Sequence, residues 1–268
     1  MQNSFKENVV IVTGASSGIG RALAVLLAKQ GARLSLAARD QQRLEAVARD
    51  CEALGGRALV VPTDVTDHLQ CKALIEQTVR AFGRIDTLIN NAGISMWAPF
   101  ETITDLSMAE RIMRVNYLGS VYTTYYALPY LRQSRGRLAA VSSLTGKVGV
   151  PTRSFYSAGK HAMAGFFDSL RIELTGSGVS VTTLYPGFVA TEVRERALGP
   201  DGKPLGESHI DEGRVMSAER CARIMAQAIL QRRREVVFTA KGKIGLWIKL
   251  IAPSVADAVS LKTIRSGR

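Results

Sequence analysis

A chain of 268 residues, 46% hydrophobic and 22% charged, has the composition of one soluble globular domain with a large core, and no linker-like or low-complexity run divides it. Its three cysteines (Cys51, Cys71, Cys221) and three histidines (His68, His161, His209) are scattered, which argues against a disulfide framework and a protein-bound metal and suits a reducing, cytoplasmic setting. The net charge of +12 would suit nucleic acid or an anionic surface, yet most of it gathers in the tail. There nine Lys and Arg from Arg232 onward face only Glu235 and Asp257, with no nucleic-acid-binding motif beside them.

The first apolar run starts within about eight residues of Met1, which leaves no room for a secretory leader. Seven short apolar runs then read as buried strands: residues 9–14, 33–39, 57–65, 85–93, 136–143, 179–187 and 235–240. Between them, Arg21–Gln30, Gln41–Leu54, His68–Phe82 and Ala109–Leu131 carry apolar residues at helical spacing. Repeated β-α-β units predict an α/β fold, doubly wound, with about seven parallel strands and helices on both faces, as a single domain over residues 1–268. In such sheets ligands bind beyond the carboxyl ends of the strands, and the motifs of this sequence fall there.

The first strand runs straight into Thr13-Gly14-Ala15-Ser16-Ser17-Gly18-Ile19-Gly20 and then a helical stretch. Glycines allow a tight turn in which backbone N–H groups approach a pyrophosphate at the positive end of the following helix, and Ser16 and Ser17 add hydroxyl donors. The second strand ends in Ala38-Arg39-Asp40. An NAD site would place a carboxylate where Ala38 stands. Arg39 is the candidate partner for a ribose 2′-phosphate, unless Asp40 takes the ribose role instead.

The spacing of Gly14, Gly18 and Gly20 resembles that of the short-chain dehydrogenase/reductase family, and further segments share the likeness over residues 8–195. Asp64-Val65 is similar to the family's adenine-contacting pair, although Asp64 could serve as a helix cap. Asn90-Asn91-Ala92-Gly93 resembles its NNAG segment, and Pro186-Gly187-Phe188-Val189-Ala190-Thr191 its PGxxxT segment. The resemblance implies a Rossmann-like fold and NADP(H) as cofactor. It also implies that Gly14, Ser16, Ser17, Gly18, Ile19, Gly20, Arg39, Asp64, Val65, Asn90, Ala92, Gly93, Pro186, Gly187, Val189 and Thr191 hold that cofactor. Thr191 could reach the carboxamide or the phosphates, or cap a helix.

Tyr156 and Lys160 stand four residues apart, which places phenol and ammonium on one helix face. With Asn116 and Ser143 they resemble the family's catalytic tetrad. The implied roles are Tyr156 as proton donor to a substrate carbonyl, Lys160 as the ammonium that lowers the phenol's pKa from about 10 and holds the nicotinamide ribose, and Ser143 as donor to the carbonyl oxygen. Asn116 would hold a water that links Lys160 to solvent. Ser142 is a rival to Ser143, which the family's interval to tyrosine favours. Gly159 departs slightly from the Ser or other small residue common before the family's lysine, at a cost of about 1 kcal/mol of helix stability relative to Ala.

Residues 192–216 are rich in charge and glycine and are expected to form a substrate loop that orders as a lid. Ser95, Met96 and Trp97 are candidates to line the pocket, with a core position open for Trp97. The extension 240–268 mixes Trp247 and aliphatic residues with lysines and is too short to span a bilayer. It either closes the pocket or packs on another subunit, or lies on an anionic membrane. The resemblance implies a small-molecule carbonyl/alcohol substrate of lipophilic kind and a homodimer or homotetramer. The alternative is a catalytically silent NADP-binding sensor or scaffold.

Overall fold

A computed structural model describes residues 4–207 and 215–265, with the side chain of Arg265 excepted. His209 and the centre of the 192–216 segment therefore lie outside the described residues. The order of elements is β1 Val9–Thr13, α1 Gly18–Ala28, β2 Arg33–Ala38, α2 Gln41–Glu52, β3 Arg57–Pro62, α3 His68–Phe82 and β4 Thr87–Asn90. There follow α4 Ser107–Met113, α5 Gly119–Ser134, β5 Arg137–Val141, α6 Ser154–Glu173, β6 Ser180–Tyr185, β7 Val189–Ala190, β8 Met216–Ser217, α7 Ala218–Leu230, β9 Glu235–Val237, α8 Ala240–Ile251 and α9 Pro253–Arg265.

Seven strands form one sheet in the order β3-β2-β1-β4-β5-β6-β9, and every pairing in it is parallel. These are the seven strands expected from the apolar runs. Alternate residues of each strand feed two cores. Val10, Val12, Leu34 and Leu36 meet Leu23 and Leu27 of α1, Leu44 and Val47 of α2, and Met225 and Ile229 of α7. On the opposite face Ile11, Leu138 and Ala140 meet Leu74 of α3, Leu131 of α5 and Phe167 of α6. Because both faces are covered, β1 is buried at all five positions and reads as an unbroken apolar run rather than an alternating one. Each fully buried Leu or Ile in these layers contributes about 1.5–3 kcal/mol.

Local chemistry sets the ends of the helices. Asp67 caps α3 by accepting from the backbone N–H groups of Leu69 and Gln70, and Gly83, at φ 77°, ends it in the left-handed conformation. The stretch expected to be one helix over Ala109–Leu131 is instead α4 and α5 joined by a π-helical turn, Arg114–Leu118. Such turns insert an extra residue and re-aim side chains, and this one carries Asn116. The strand order reverses between β1 and β4, so the loops after these two strands part and open a crevice at the carboxyl edge of the sheet.

Candidate active site

That crevice is a cleft of about 1580 Å³. Ligand pockets for single small molecules run to about 1,000 Å³, so this one has room for a dinucleotide and a second compound. Its two ends are built differently.

At one end lies the glycine loop. Gly14 and Gly18 hold φ of +65° and +53°, a conformation that disfavours any side chain. A Cβ on Gly20 would stand 2.2 Å from the carbonyl oxygen of Gly14, and one on Gly14 would stand 2.9 Å from Cα of Ala92. The space is thus closed to methyl groups but open to the backbone N–H groups that a pyrophosphate needs. Ser17 occupies the cap position of α1 without a side-chain cap bond, which leaves its hydroxyl for a ligand. The loop is fastened to the 91–93 segment: Asn91 Nδ2 donates to the Thr13 and Gly14 carbonyls at 2.9 and 3.2 Å, and Thr13 Oγ1 accepts from the backbone N–H of Asn91 and Ala92. Ser16, Ile19, Ala92, Gly93, Pro186, Gly187, Val189 and Thr191 all line the cleft. Thr191 packs on Gly18, and turns follow it rather than a helix, so it is no helix cap.

Arg39 is exposed at the end of β2 and lines the same cleft. Asp40 caps α2 by accepting from the Arg43 backbone N–H at 3.0 Å and also borders the cleft. Arg43 reaches the cleft as well and pairs with Glu192 at 2.9 Å. Asp64 is not the cap of α3, since Asp67 has that position; its carboxylate accepts from Thr66 and, with Val65, it borders the cleft. Asn90 departs from expectation. Its buried amide bonds Thr124 and Thr123 of α5, so it braces that helix against β4 and its neighbour Asn91 faces the cleft instead. These residues suit a dinucleotide: a backbone cradle too tight for side chains, free hydroxyls beside it, and cations at its far edge.

At the other end α6 presents Tyr156 and Lys160 one turn apart. Lys160 is buried, and Nζ donates to the Val141 carbonyl at 2.8 Å; burial lowers its pKa to about 8, so the ammonium predominates at neutral pH. Ser143 starts the 3-10 turn Leu144–Gly146, accepting from the Thr145 N–H, and bonds the Tyr156 hydroxyl. Ser142 is turned away, donating to the Lys160 carbonyl at 3.0 Å, which leaves Ser143 as the serine beside the phenol. Burial raises the pKa of Tyr156, opposed first by the Arg153 guanidinium and then by the Ser143 hydrogen bond. The opposing cation was expected to be Lys160. In the chain alone it is Arg153, the residue just before α6. Asn116 lies behind Gly93 rather than on the wall of the cleft: its amide accepts from the Ile94 N–H at 2.8 Å and donates to the Ile94 carbonyl at 2.9 Å. A Cβ on Gly93 would come within 3.1 Å of Asn116 Oδ1 and 3.4 Å of Lys160 Nζ. Glycine there lets the three groups converge.

Of the expected pocket residues, Ser95 lines the cleft, Met96 is buried in an apolar cluster with Leu198, and Trp97 stacks on Arg153. Of residues 192–216, expected to order as a lid, the described part up to Glu207 is held by backbone bonds. Leu198 exchanges backbone bonds with Ser95 and Trp97, and the Thr104 N–H donates to the Pro200 carbonyl. Ile248 and Lys249 of α8 and Ala256, Asp257, Val259, Lys262 and Ile264 of α9 form one wall of mixed character, with Lys249 Nζ fastened to the Lys147 carbonyl. The outer side of the same helices leaves Trp247, Leu250 and Ile251 largely exposed. Sequence reasoning missed Thr13, Asn91, Arg43 and Arg153. Asn91 stood inside a segment already chosen, and Arg43 stands four residues after Arg39, in the first turn of α2. Nothing in the pattern distinguished Arg153, whose place emerges only from packing.

Residues 8–199 match the family model described as short chain dehydrogenase. Two Arabidopsis thaliana proteins are similar across most of their length. The one called 11-beta-hydroxysteroid dehydrogenase-like 2 is 38% identical over 250 residues, 93% of this chain and 79% of its own. That called 11-beta-hydroxysteroid dehydrogenase 1A is 37% identical over 264 residues, 94% of this chain and 75% of its own. Among solved structures, a short chain dehydrogenase/reductase from Burkholderia phymatum in complex with NAD superposes with a TM-score of 0.82 at 23% identity, covering 95% of this chain and 96% of that one. The family match runs from the strand before the glycine loop past β7 and takes in both ends of the cleft, so the protein belongs to the short-chain dehydrogenases and is an oxidoreductase of that family.

Proposed function

We propose that the protein interconverts a carbonyl and a secondary alcohol with NADP(H), and that its substrate is lipophilic. The observation that carries this reading is the convergence of Tyr156, Ser143 and Lys160 at the end of a cleft whose other end is a glycine cradle bordered by Arg39. When bound, the nicotinamide supplies hydride to the carbonyl carbon in reduction and receives it in oxidation. Tyr156 gives its hydroxyl proton to the carbonyl oxygen, so ketone, hydride and one proton become the alcohol. Its raised pKa keeps that proton in place at neutral pH, which suits reduction. Ser143 donates to the same oxygen and stabilises the charge that develops there. Lys160, cationic beneath the site, holds ribose hydroxyls and favours the phenolate left behind. Asn116 is a positioning residue that sets Ile94 and Gly93.

Arg39, with Arg43 beside it, supports NADP over NAD, since a guanidinium matches a 2′-phosphate and the nearest carboxylate, Asp40, is engaged as a cap. Ile248, Ala256, Val259 and Ile264 on the mixed wall from α8 and α9 support a lipophilic substrate, as do the names of the hydroxysteroid dehydrogenase relatives. No described helix is long and apolar enough to cross a membrane. The exposed outer face of α8, flanked by Lys241 and Lys243, supports peripheral membrane contact. Tyr125 of α5 and Ile172 of α6, both exposed, support a homodimer or homotetramer built on those helices.

The test is a fluorescence titration with NADPH and NADH, followed by turnover of pooled ketones and alcohols read by cofactor absorbance. Tyr156→Phe should lower turnover about 1,000-fold while NADPH affinity holds. Preference for NADH would overturn the cofactor, and undiminished activity in Tyr156→Phe the mechanism. Tight NADPH binding without any turnover would return the silent sensor.

A further inference from the structure

Ser143 follows β5 and opens the 3-10 turn Leu144–Gly146, so a short piece of backbone rather than a helix aims its hydroxyl. Its own bond within the turn, accepted from the Thr145 N–H, measures 3.2 Å, at the long end of the range for such bonds. The aim of Ser143 therefore depends on what grips the turn from outside.

Part of the grip comes from the shared core. A Cβ on Gly146 would stand 2.8 Å from the Lys160 carbonyl oxygen of α6 and closer still to Ser142 Oγ, and the Leu144 N–H donates to the Pro186 carbonyl at 2.9 Å. The rest comes from the C-terminal extension. Leu144 and Leu246 of α8 pack on one apolar cluster, formed by Ala164 of α6, Tyr185 of β6 and Val237 of β9. Gly242 lets α8 come this close, since a Cβ there would lie 3.3 Å from Cδ2 of Leu144. Lys147, which ends the turn, is held at both its side chain and its backbone. The ammonium pairs with Glu235 of β9 at 2.8 Å and lies 4.5 Å from the centre of the Tyr185 ring, while the carbonyl accepts from Lys249 Nζ of α8 at 2.6 Å. Ile248 faces the cleft, whereas Leu246 faces the cluster that it shares with Leu144.

We propose that α8 positions the catalytic serine: Leu246 and Lys249 hold the 144–147 turn in place, and that support keeps the Ser143 hydroxyl on the Tyr156 phenol and on the substrate oxygen. Both are positioning residues that act through Ser143. A donor displaced by about 1 Å loses most of its hold on developing charge, so the kinetic consequence is large for so distant a support. Because α8 lies beyond residues 8–199 that match the family model, the support belongs to this chain's extension. Its effect on rate rests on the reaction proposed above; the placement of Ser143 does not.

The experiment is a double-mutant cycle in the NADPH-loaded protein. Leu246→Ala should lower kcat about 10-fold with KM and NADPH affinity little changed, and Leu246→Met, which refills the space, should restore it. Lys249→Met should lower kcat about 3-fold, and Lys249→Arg, which keeps a donor, should not. Ser143→Ala should cost about 100-fold, and adding Leu246→Ala to it should cost less than about 2-fold more, because the support has nothing left to aim. Full additivity, an unchanged kcat in Leu246→Ala, or a loss confined to KM, which would make α8 a wall of the cleft and nothing more, would overturn the proposal. A readout without turnover separates this from failure of the reaction itself. The chain has seven tyrosines; with the oxygen-bearing ring carbon labelled with carbon-13, the Tyr156 resonance is the one lost in Tyr156→Phe. Ser143→Ala should move it, since Ser143 bonds that hydroxyl. Leu246→Ala should move it the same way, and the double variant no further than Ser143→Ala. That pattern in a protein that turns over no carbonyl or alcohol would leave the positioning standing and sink the reaction. A resonance that moves in Ser143→Ala and stays put in Leu246→Ala would sink the positioning, whatever the turnover.

Discussion

The two ends of the cleft solve the same problem, holding an anionic or polar ligand at the edge of a sheet, by opposite means. The glycine end is made of backbone. Its donors are peptide N–H groups, its shape comes from left-handed glycines, and its parts are locked to each other through Thr13 and Asn91. The tyrosine end is made of side chains from distant parts of the chain: Ser95 and Trp97 after β4, Ser143 after β5, Arg153 and Tyr156 around the start of α6, and Phe188 after β6. Atoms fixed by steric exclusion leave little to vary, while side chains on loops can be exchanged one at a time. That division suits the proposed function, with a shared cofactor at the first end and an individual substrate at the second.

The sharpest way to break the glycine end is one methyl group. In Gly20→Ala the new Cβ meets the Gly14 carbonyl oxygen at 2.2 Å and its carbon at 2.9 Å, and neither backbone atom can yield without opening the loop. NADPH affinity should fall at least about 100-fold, with a stability loss of about 2–3 kcal/mol from overpacking. Fluorescence titration and thermal denaturation read the two separately. Unchanged affinity would mean that the loop is softer than its contacts imply.

A smaller effect is expected at the rim of that end, where recognition passes from backbone to side chain. Arg39→Ala removes an exposed guanidinium and should weaken NADPH about 10- to 100-fold while NADH changes little, a difference of about 1.4–2.7 kcal/mol. Salt should narrow the gap, because an exposed ion pair is screened. If both cofactors weaken alike, Arg39 is acting on the loop rather than on a 2′-phosphate, and Arg43 becomes the candidate anchor.

The same contrast explains what could be read from the residues alone. Fixed spacing follows wherever neighbours in sequence are neighbours in space, so the glycine loop, the Tyr156–Lys160 turn and all seven strands were visible as patterns. Arg153 was not, because its meaning depends on Trp97 and Phe188, which approach it only once β4 and β6 lie on either side of β5. Asn90 and Asn91 show the limit from the other side. Both belong to one recognisable segment, and successive residues at the end of a strand face opposite ways, so Asn90 went to the core and Asn91 to the cleft. The π-helical turn at Arg114–Leu118 left no mark on the apolar spacing of the flanking helices.

The smallest expected effect adds one methyl group at the tyrosine end and should have the opposite sign to the change at Gly20. Gly159 sits inside α6, and a Cβ there would lie 3.4 Å from the Cβ of Asn116 and 3.5 Å from Cγ2 of Ile112, which is ordinary contact. Gly159→Ala gains helix propensity and loses unfolded-state freedom, so it should stabilise the protein by about 0.5–1 kcal/mol. Tyr156 and Lys160 keep their spacing, and kcat should stay within about 2-fold, since the added methyl touches Asn116 without displacing its bonds to Ile94. Thermal denaturation and steady-state kinetics check both. A rise in stability with a large fall in kcat would show that Asn116 is poised more finely than its hydrogen bonds indicate, and that the support behind the tyrosine end is as intolerant of a methyl group as the cradle opposite.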